Sequence, residues 1–291
     1  MPIPISAIVL TKNEELNLPD CLASVSWADE VLVIDSFSTD RTAEIARQLA
    51  TRVLQHPFSS FAAQRNYAQS QAQYDWVLFI DADERVSPEL RNAIQELART
   101  SQLSEFNGYY LHRVQLFSGR WWPDPDKPIM PEGRRSIEYY PRQGHVRLLD
   151  RRLGEWVRAL HEVARIPRPH GLLNGVLYHY STSNLSLTYE PFNRYTDMEA
   201  AYLHCSRKKT SLVEAAFRGI RSFIYHYFFG GLYRYGEHGF LMAVSDGYTK
   251  FMNYAKLWER IRIQNRQGIW TARDEELLEK IKFDSDVESR G

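Results

Sequence analysis

Three groups of polar residues follow directly on apolar runs in the first hundred positions. The run SAIVL ends in Thr11-Lys12-Asn13-Glu14, VLVI ends in Asp35-Ser36, and WVLFI ends in Asp81-Ala82-Asp83-Glu84. Carboxylates at such positions are hard oxygen ligands, suited to Mg2+ or Mn2+ held beside a diphosphate. Asp81 and Asp83 are two apart on an extended segment, and both can turn toward one cation if the chain bends there. Arg65-Asn66 lies between the second and third groups, and a guanidinium there can reach a phosphate or a base. The Asp-x-Asp pattern is weak by itself, because Asp124-Pro125-Asp126 and Asp284-Ser285-Asp286 repeat it. Only Asp81-Ala82-Asp83 ends an apolar strand. The competing reading is an acidic cluster ahead of a helix starting at Ser87-Pro88, satisfied by the positive helix end. Position alone leaves both open.

Other side chains add candidates. His179, in LYHYS, could complete a metal shell, since carboxylate and imidazole both suit Mn2+; a hydrogen-bonded core histidine is the alternative. Trp121 and Trp122 could offer an acceptor sugar an aromatic platform, or simply anchor their loop to the core. Arg134-Arg135 and Arg151-Arg152 could meet phosphates or be solvated pairs. Several common chemistries find no footing. There is no GxGxxG after a strand, no phosphate-binding GxxxxGK[ST] loop and no GxSxG elbow, and His161-Glu162 continues as Val-Ala-Arg rather than as a zinc helix.

These residues need a scaffold that brings strand ends together. Continuous β-branched runs alternating with helical stretches predict an α/β fold, a mostly parallel sheet flanked by helices, and such sheets bind ligands beyond the carboxyl ends of their strands. Helices are expected over 14–26, 39–50 and 59–72, with another starting at Ser87-Pro88-Glu89. A strand is expected over 108–117, then a long loop over 119–144, then short strands over 146–149 and 175–180. From Leu185 to near Lys282 the pattern is helical. The expected division is therefore 1–182 for the catalytic domain and 183–291 for a C-terminal helical extension. Thirty-six basic residues balance 36 acidic ones, so no global field draws the chain to nucleic acid. Two cysteines, Cys21 and Cys205, cannot build a disulfide framework and are expected as buried thiols of a reducing compartment. No stretch is long and apolar enough to span a bilayer. Phe217, Ile220, Phe223, Ile224, Tyr227 and Phe228 recur at helical spacing with Arg218 and Arg221 between them, a pattern suited to a membrane surface, to core packing or to a dimer.

The ordered series IVLTKNEELNLPDCLASVSWADEVLVIDSFSTDRTAEIA, FAAQRNYA and WVLFIDADERVSPEL closely resembles the nucleotide-binding half of family 2 glycosyltransferases. VRLLDRRLGEWVRALHEV, LYHYSTSNLSLTYEPFNRYTDMEA and HGFLMAVSDGYTKFMNYAKLWE extend the resemblance over most of residues 4–260, toward the lipopolysaccharide core β-1,4-glucosyltransferase subgroup. The resemblance implies the GT-A fold, a nucleotide-diphospho-sugar donor, a divalent metal (Mn2+ or Mg2+) and inversion at the anomeric carbon. It implies that Thr11, Asn13 and Glu14 line the nucleoside pocket and that Asp35 accepts from the base, typically uracil. Arg65 is then near base or phosphate, Asp81 on the ribose side, Asp83 on the metal, and Arg147 at the place of a similar strand arginine. Glu162, resembling the acidic motif at this place, becomes the base that deprotonates the acceptor. The subgroup has Trp-Tyr-Pro-Asp where this chain has Tyr139-Tyr140-Pro141-Arg142 in a longer loop, so the acceptor need not be the same. The resulting expectation is an inverting transferase moving a hexose, glucose from a UDP-linked donor, to a lipid-linked or core saccharide. Its place of work is the cytoplasm, peripheral on the inner face of the cytoplasmic membrane. Two rivals stand beside it. A sugar-nucleotide nucleotidyltransferase usually has a Gly-rich loop after the first strand, which TKNE lacks. A non-catalytic membrane-associated scaffold on the same fold has no need of Asp35, Asp81, Asp83 and Glu162 together.

Overall fold

The computed structural model describes residues 1–117, 119–122, 146–157, 162–182 and 185–267. Asp124-Pro125-Asp126, Arg134-Arg135, Tyr139 to Arg142, His161 and Asp284-Ser285-Asp286 lie outside the described residues, as do the side chains of Trp122 and Cys205. The chain forms two compact units, Met1–Thr182 and Ser183–Gly291.

The first unit runs β1 (Ile5–Thr11), α1 (Leu18–Val25), β2 (Glu30–Asp35), α2 (Thr42–Leu49), β3 (Arg52–Gln55), α3 (Phe61–Gln71), β4 (Trp76–Asp81), β5 (Glu84–Val86) and α4 (Pro88–Arg99). It continues through β6 (Gly108–Phe117), β7 (Arg120–Trp122), β8 (Val146–Asp150), β9 (Glu155–Val157), β10 (Val163–Arg165) and β11 (His170–Thr182). The main sheet has the order β3-β2-β1-β4-β8-β6-β11-β5, with β7 on β6, and β9 and β10 pair separately. Strands β3, β2, β1, β4, β6 and β11 run one way, and β8, β5 and β7 run the other. This is the α/β, mostly parallel architecture with flanking helices expected from the sequence.

The central strands are buried on both faces, which is why they read as unbroken apolar runs. On one face Ile5, Ala7, Val9, Leu78 and Ile80 pack with Leu18, Leu22, Leu90 and Ile94 of α1 and α4. On the other, Ile8, Leu32, Ile34, Val77 and Phe79 pack with Ala62 and Ala68 of α3 and with Trp156. The register pairs Thr11 with Asp35 and Leu10 with Asp81, so the three polar groups end on one rim. Backbone bonds carry the alignment past the strands: Ser36 N donates to Thr11 O at 2.9 Å and Ala82 N to Leu10 O at 3.2 Å.

The start signal at Ser87 falls where the sequence put it, and Ser60 supplies a second. Ser60 and Ser87 cap α3 and α4, their Oγ atoms accepting from Ala63 N and Leu90 N. The first helix is shorter than expected and begins at Leu18, next to Pro19. The chain after Asp83 does not run straight into α4. It forms β5, which pairs antiparallel with β11 so that Glu84 faces His179. The strand expected over 175–180 is the longer β11, with a register shift between Leu172 and Val176. Gly175 sits at that irregularity with φ +93°, and a Cβ there would lie 2.2 Å from Leu90 N. Only glycine lets β11 pass this close to the start of α4.

The second unit contains α5 (Leu185–Cys205), α6 (Leu212–Ile224) and α7 (Gly236–Gln267), with a π-helical turn, Tyr225–Phe229, after α6. Its core gathers Ala200, Leu203, Ala215, Tyr254 and Leu257. A Cβ on Gly219 of α6 would come within 2.9 Å of Gly247 O on α7, so these helices touch backbone to backbone. Among the described residues, no helix is long and apolar enough to cross a membrane.

Candidate active site

On one side of the rim, the turns after β1 and β2 are laced together. Asn13, with φ 56°, accepts from Thr39 N through Oδ1 at 2.8 Å and donates its own N–H to Ser38 Oγ at 2.9 Å. Glu14 N donates to Thr42 Oγ1 at 2.7 Å, and the Glu14 carboxylate accepts from Asn17 at 2.9 Å. Burial raises the Glu14 pKa and the Asp83 charge adds to the rise, against the bond from Asn17. Asp35 is fully buried; Ser38 Oγ donates to it at 2.5 Å and Gln55 Nε2 at 2.9 Å. Thr11 Oγ1 is buried with no hydrogen-bond partner among the described residues.

The second part of the site is a charge network centred on Asp81. Arg65 Nη2 of α3 donates to Asp81 Oδ1 at 2.8 Å, and Arg147 Nη2 of β8 donates to Oδ2 at 3.0 Å. Arg147 also reaches Glu84 Oε1 at 3.3 Å, where Arg113 Nε of β6 donates at 2.7 Å. The other Glu84 oxygen accepts from Asp81 N at 2.9 Å. Arg65 Nε continues to Glu162 Oε1 at 3.2 Å. Three guanidiniums thus face three carboxylates, the balance a buried ionic cluster needs. Burial opposes ionisation of Asp81, but Arg147 and Arg65 outweigh it and hold the carboxyl well below the usual carboxylate range. Burial likewise opposes the charge on Arg147, and Asp81 and Glu84 keep it protonated. Arg65 is only 1% exposed, with its guanidinium carbon 4.8 Å from the Trp156 ring centroid and 5.5 Å from that of Phe79. Asn66, beside it, clasps the Trp156 backbone from both ends at 2.8 Å and so fixes β9, the strand before Glu162. Arg65 Nη1 and Arg147 Nη1 are buried with no hydrogen-bond partner among the described residues, donors that an anion or water would satisfy.

The sequence candidates Arg65, Asp81, Arg147 and Glu162 therefore meet in one network. Glu84 belongs to the strand-end group seen in the sequence but carried no separate role there, and nothing in its spacing marks Arg113 as functional. Of the two arrangements open to Asp81-Ala82-Asp83, the structure has the carboxylates turned to different partners. Asp81 turns to two guanidiniums, whereas Asp83 turns to His179, with Oδ2 and Nε2 3.0 Å apart. The Asp83 carbonyl accepts from Tyr180 N at 2.9 Å, which ties the turn to β11. Among the described residues, no group of three or more His, Cys, Asp or Glu side chains forms a ready metal cage.

Trp121 stands over β11, its ring centroid 4.8 Å from that of Tyr178 and 5.0 Å from that of Tyr180. Trp122 lies beside it on β7, opposite Gln115. Arg151 and Arg152 are drawn to carboxylates: Arg152 reaches Asp150 at 2.6 Å and Asp75 at 2.9 Å, and Arg151 lies 3.8 Å from Asp75. Cys21 is buried in the α1 core.

Residues 6–145 match the family model described as glycosyl transferase family 2. A protein of Rickettsia typhi named as an uncharacterized glycosyltransferase is 28% identical over 267 residues, covering 88% of this chain and 87% of its own length. LpsC of Rhizobium meliloti, named a lipopolysaccharide core biosynthesis glycosyltransferase, is 26% identical over 276 residues, covering 92% of this chain and 96% of its own. Among solved structures, S. aureus TarS 1-349 in complex with UDP-GlcNAc aligns loosely over 92% of this chain and 93% of its own, at 16% identity and a TM-score of 0.48. Over residues 6–145 the chain carries the glycosyl transferase family 2 domain, and it is a transferase enzyme.

Proposed function

We propose that this glycosyltransferase is metal-dependent and inverting. In this reading it moves a hexose, glucose, from a UDP-linked donor to a lipid-linked or lipopolysaccharide core saccharide, working in the cytoplasm at the inner face of the membrane. The observation that carries the reading is the single rim on which the Asp83–His179 pair and the Arg65–Asp81–Arg147–Glu162 network both stand. The saccharide class rests on the printed name of the LpsC relative.

Donor residues are assigned as follows. The turns carrying Thr11, Asn13, Glu14 and Asp35 hold the nucleoside. Arg65 and Arg147, each with a buried Nη1 that has no partner among the described residues, offer charge to the diphosphate. Asp81 fixes both guanidiniums at the ribose side. Asp83 and His179 would hold Mn2+ or Mg2+. The donor set fits in chemistry: a carboxylate oxygen and an imidazole nitrogen both suit Mn2+, and these two atoms lie 3.0 Å apart. Diphosphate oxygens and water would complete the shell. When bound, such a cation supplies Lewis-acid stabilisation of charge on the leaving nucleoside diphosphate.

The remaining chemistry falls to side chains. Glu162 Oε1 is engaged by Arg65, which orients the carboxylate. Glu162 Oε2 accepts the proton of the acceptor hydroxyl as the new carbon–oxygen bond forms and the bond to the diphosphate breaks. One base suffices, because a single displacement inverts the anomeric carbon. Trp121 and Trp122 offer the acceptor a platform, supported by the packing of Trp121 on Tyr178 and Tyr180. The test is a transfer and hydrolysis screen across UDP-, GDP-, ADP- and dTDP-sugars, each with and without Mn2+. Turnover of a UDP-hexose only with the metal is expected. Metal-independent turnover, or preference for another nucleotide, overturns the corresponding part.

A further inference from the structure

The strongest unassigned feature lies wholly in the second unit. α6 turns Ala215 and Gly219 inward, while Val213, Phe217, Ile220 and Ile224 are 80%, 64%, 60% and 41% exposed. Steps of four, three and four residues put these four on one stripe of the helix. The π-helical turn prolongs the stripe with Phe228 and Phe229, both exposed. Single exposed apolar residues are ordinary, but a contiguous ridge marks an interaction surface.

Beside the ridge is a hollow of about 410 Å³, walled by Arg221, Ser222, Tyr225, His226 and Phe229 and closed by Lys250 of α7. Arg218 at its edge is paired with Glu214 at 2.7 Å, and Asp246 stands 3.8 Å from His226. Arg221 and Lys250 have no carboxylate within ion-pair distance among the described residues. Two cations without an ion pair among the described residues therefore line one hollow whose rim is aromatic and apolar. Such a site wants a phosphate with a hydrocarbon body attached.

We infer that this hollow holds the phosphate of an anionic phospholipid headgroup while the ridge of Phe217, Ile220, Ile224, Phe228 and Phe229 enters the adjoining acyl boundary. The two parts are complementary to the two layers of a bilayer surface: charge for the headgroup, aromatic and branched side chains for the hydrocarbon below it. A two-fold contact with a second copy would instead set the Arg221–Lys250 pair against its own symmetry mate. The inference rests only on the membrane placement proposed above, and its test needs no sugar donor.

The full chain is sedimented with vesicles of phosphatidylcholine alone, and with vesicles in which about one lipid in three is phosphatidylglycerol. Binding should be stronger on the anionic vesicles by roughly thirtyfold, the share expected of two cations at such a surface. Arg221→Gln with Lys250→Gln should remove that gain. Phe217→Ser with Phe229→Ser should weaken binding to both compositions and leave the melting temperature in place. Free glycerol phosphate at millimolar concentration should compete with the anionic vesicles, as it would not against a diffuse charge effect. Equal binding to both vesicle types, or a dimer in light scattering that the Phe217→Ser, Phe229→Ser variant dissolves, overturns the inference. Vesicle binding by a chain that turns over no sugar nucleotide would defeat the proposed reaction and leave this site standing.

Discussion

Arg147, on β8, donates to Asp81 at the end of β4 across 3.0 Å, and the same nitrogen reaches Glu84. Asp81 is thus the shared counter-charge of Arg147 and Arg65, both buried. Removing it leaves two guanidiniums in a low-dielectric rim with Glu84 and Glu162 alone. Asp81→Asn is expected to destabilise the first unit by about 3 kcal/mol, the usual loss when one partner of a buried pair is removed. At roughly 2–4 °C per kcal/mol, the melting temperature should fall by about 6–12 °C. Thermal denaturation checks this, and a melting curve within two degrees of the parent would show that the network holds without Asp81.

The same carboxyl sets a dependence on pH. Its folded-state pKa is depressed, by Arg147 and Arg65 acting against burial. A depressed acid contributes fully above its unfolded value of about 3.9, and the contribution is lost as pH falls below that. The stability gap between the parent and Asp81→Asn should therefore be constant from neutral pH to about pH 5 and shrink below about pH 4. Urea unfolding of both proteins at pH 7, 5 and 3.5 measures it. A gap that widens in acid contradicts the sign.

The parallel half of the fold was readable because its cause is local. Buried runs such as VLVI and WVLFI, and the caps Ser60 and Ser87, carry their structure in adjacent residues. The rim of polar groups follows from parallel register alone. The pairing of Glu84 with Arg113 was hidden because it depends on β5 docking on β11 and on β6 lying beside it, pairings set by distant segments. β5 is three residues long, too short to show a period. The Asp83–His179 pair was nameable as two residue types, but its 3.0 Å spacing depends on β5 docking on β11 and on the Tyr180 N–Asp83 O bond. Arg151 and Arg152 read in sequence as phosphate contacts or as a solvated pair; Asp150 precedes them in the chain, and only the fold brings Asp75 beside them as well.

Asp83 differs from its neighbour two residues earlier. Its carboxylate is bonded to His179 and to no guanidinium among the described residues. Asp83→Asn should therefore leave the melting temperature within about 2 °C while lowering kcat at least about a hundredfold, the scale seen when one group stabilising transition-state charge is lost. Calorimetry of UDP with and without Mn2+ should show metal-dependent heat in the parent that disappears in Asp83→Asn and weakens in His179→Ala. Near-parental turnover in Asp83→Asn would move the metal elsewhere.

Glu162 is tied to the donor side by one bond, Arg65 Nε to Oε1 at 3.2 Å. That bond separates two roles that loss of activity alone would confuse. Glu162→Gln keeps an oxygen for Arg65 but offers the acceptor hydroxyl no base, so nucleotide binding should persist while transfer falls by about 10²–10⁴-fold, the usual range for a positioned base. Arg65→Lys should behave differently. A lysine has no planar fork and cannot serve Asp81 and Glu162 together, so both donor binding and stability should suffer. Binding isotherms, melting curves and single-turnover rates for the two variants distinguish the cases. If Glu162→Gln transfers sugar at the parental rate, the proton goes to another group; if it loses nucleotide binding as well, Glu162 acts through Arg65 as a positioning residue and not as the base.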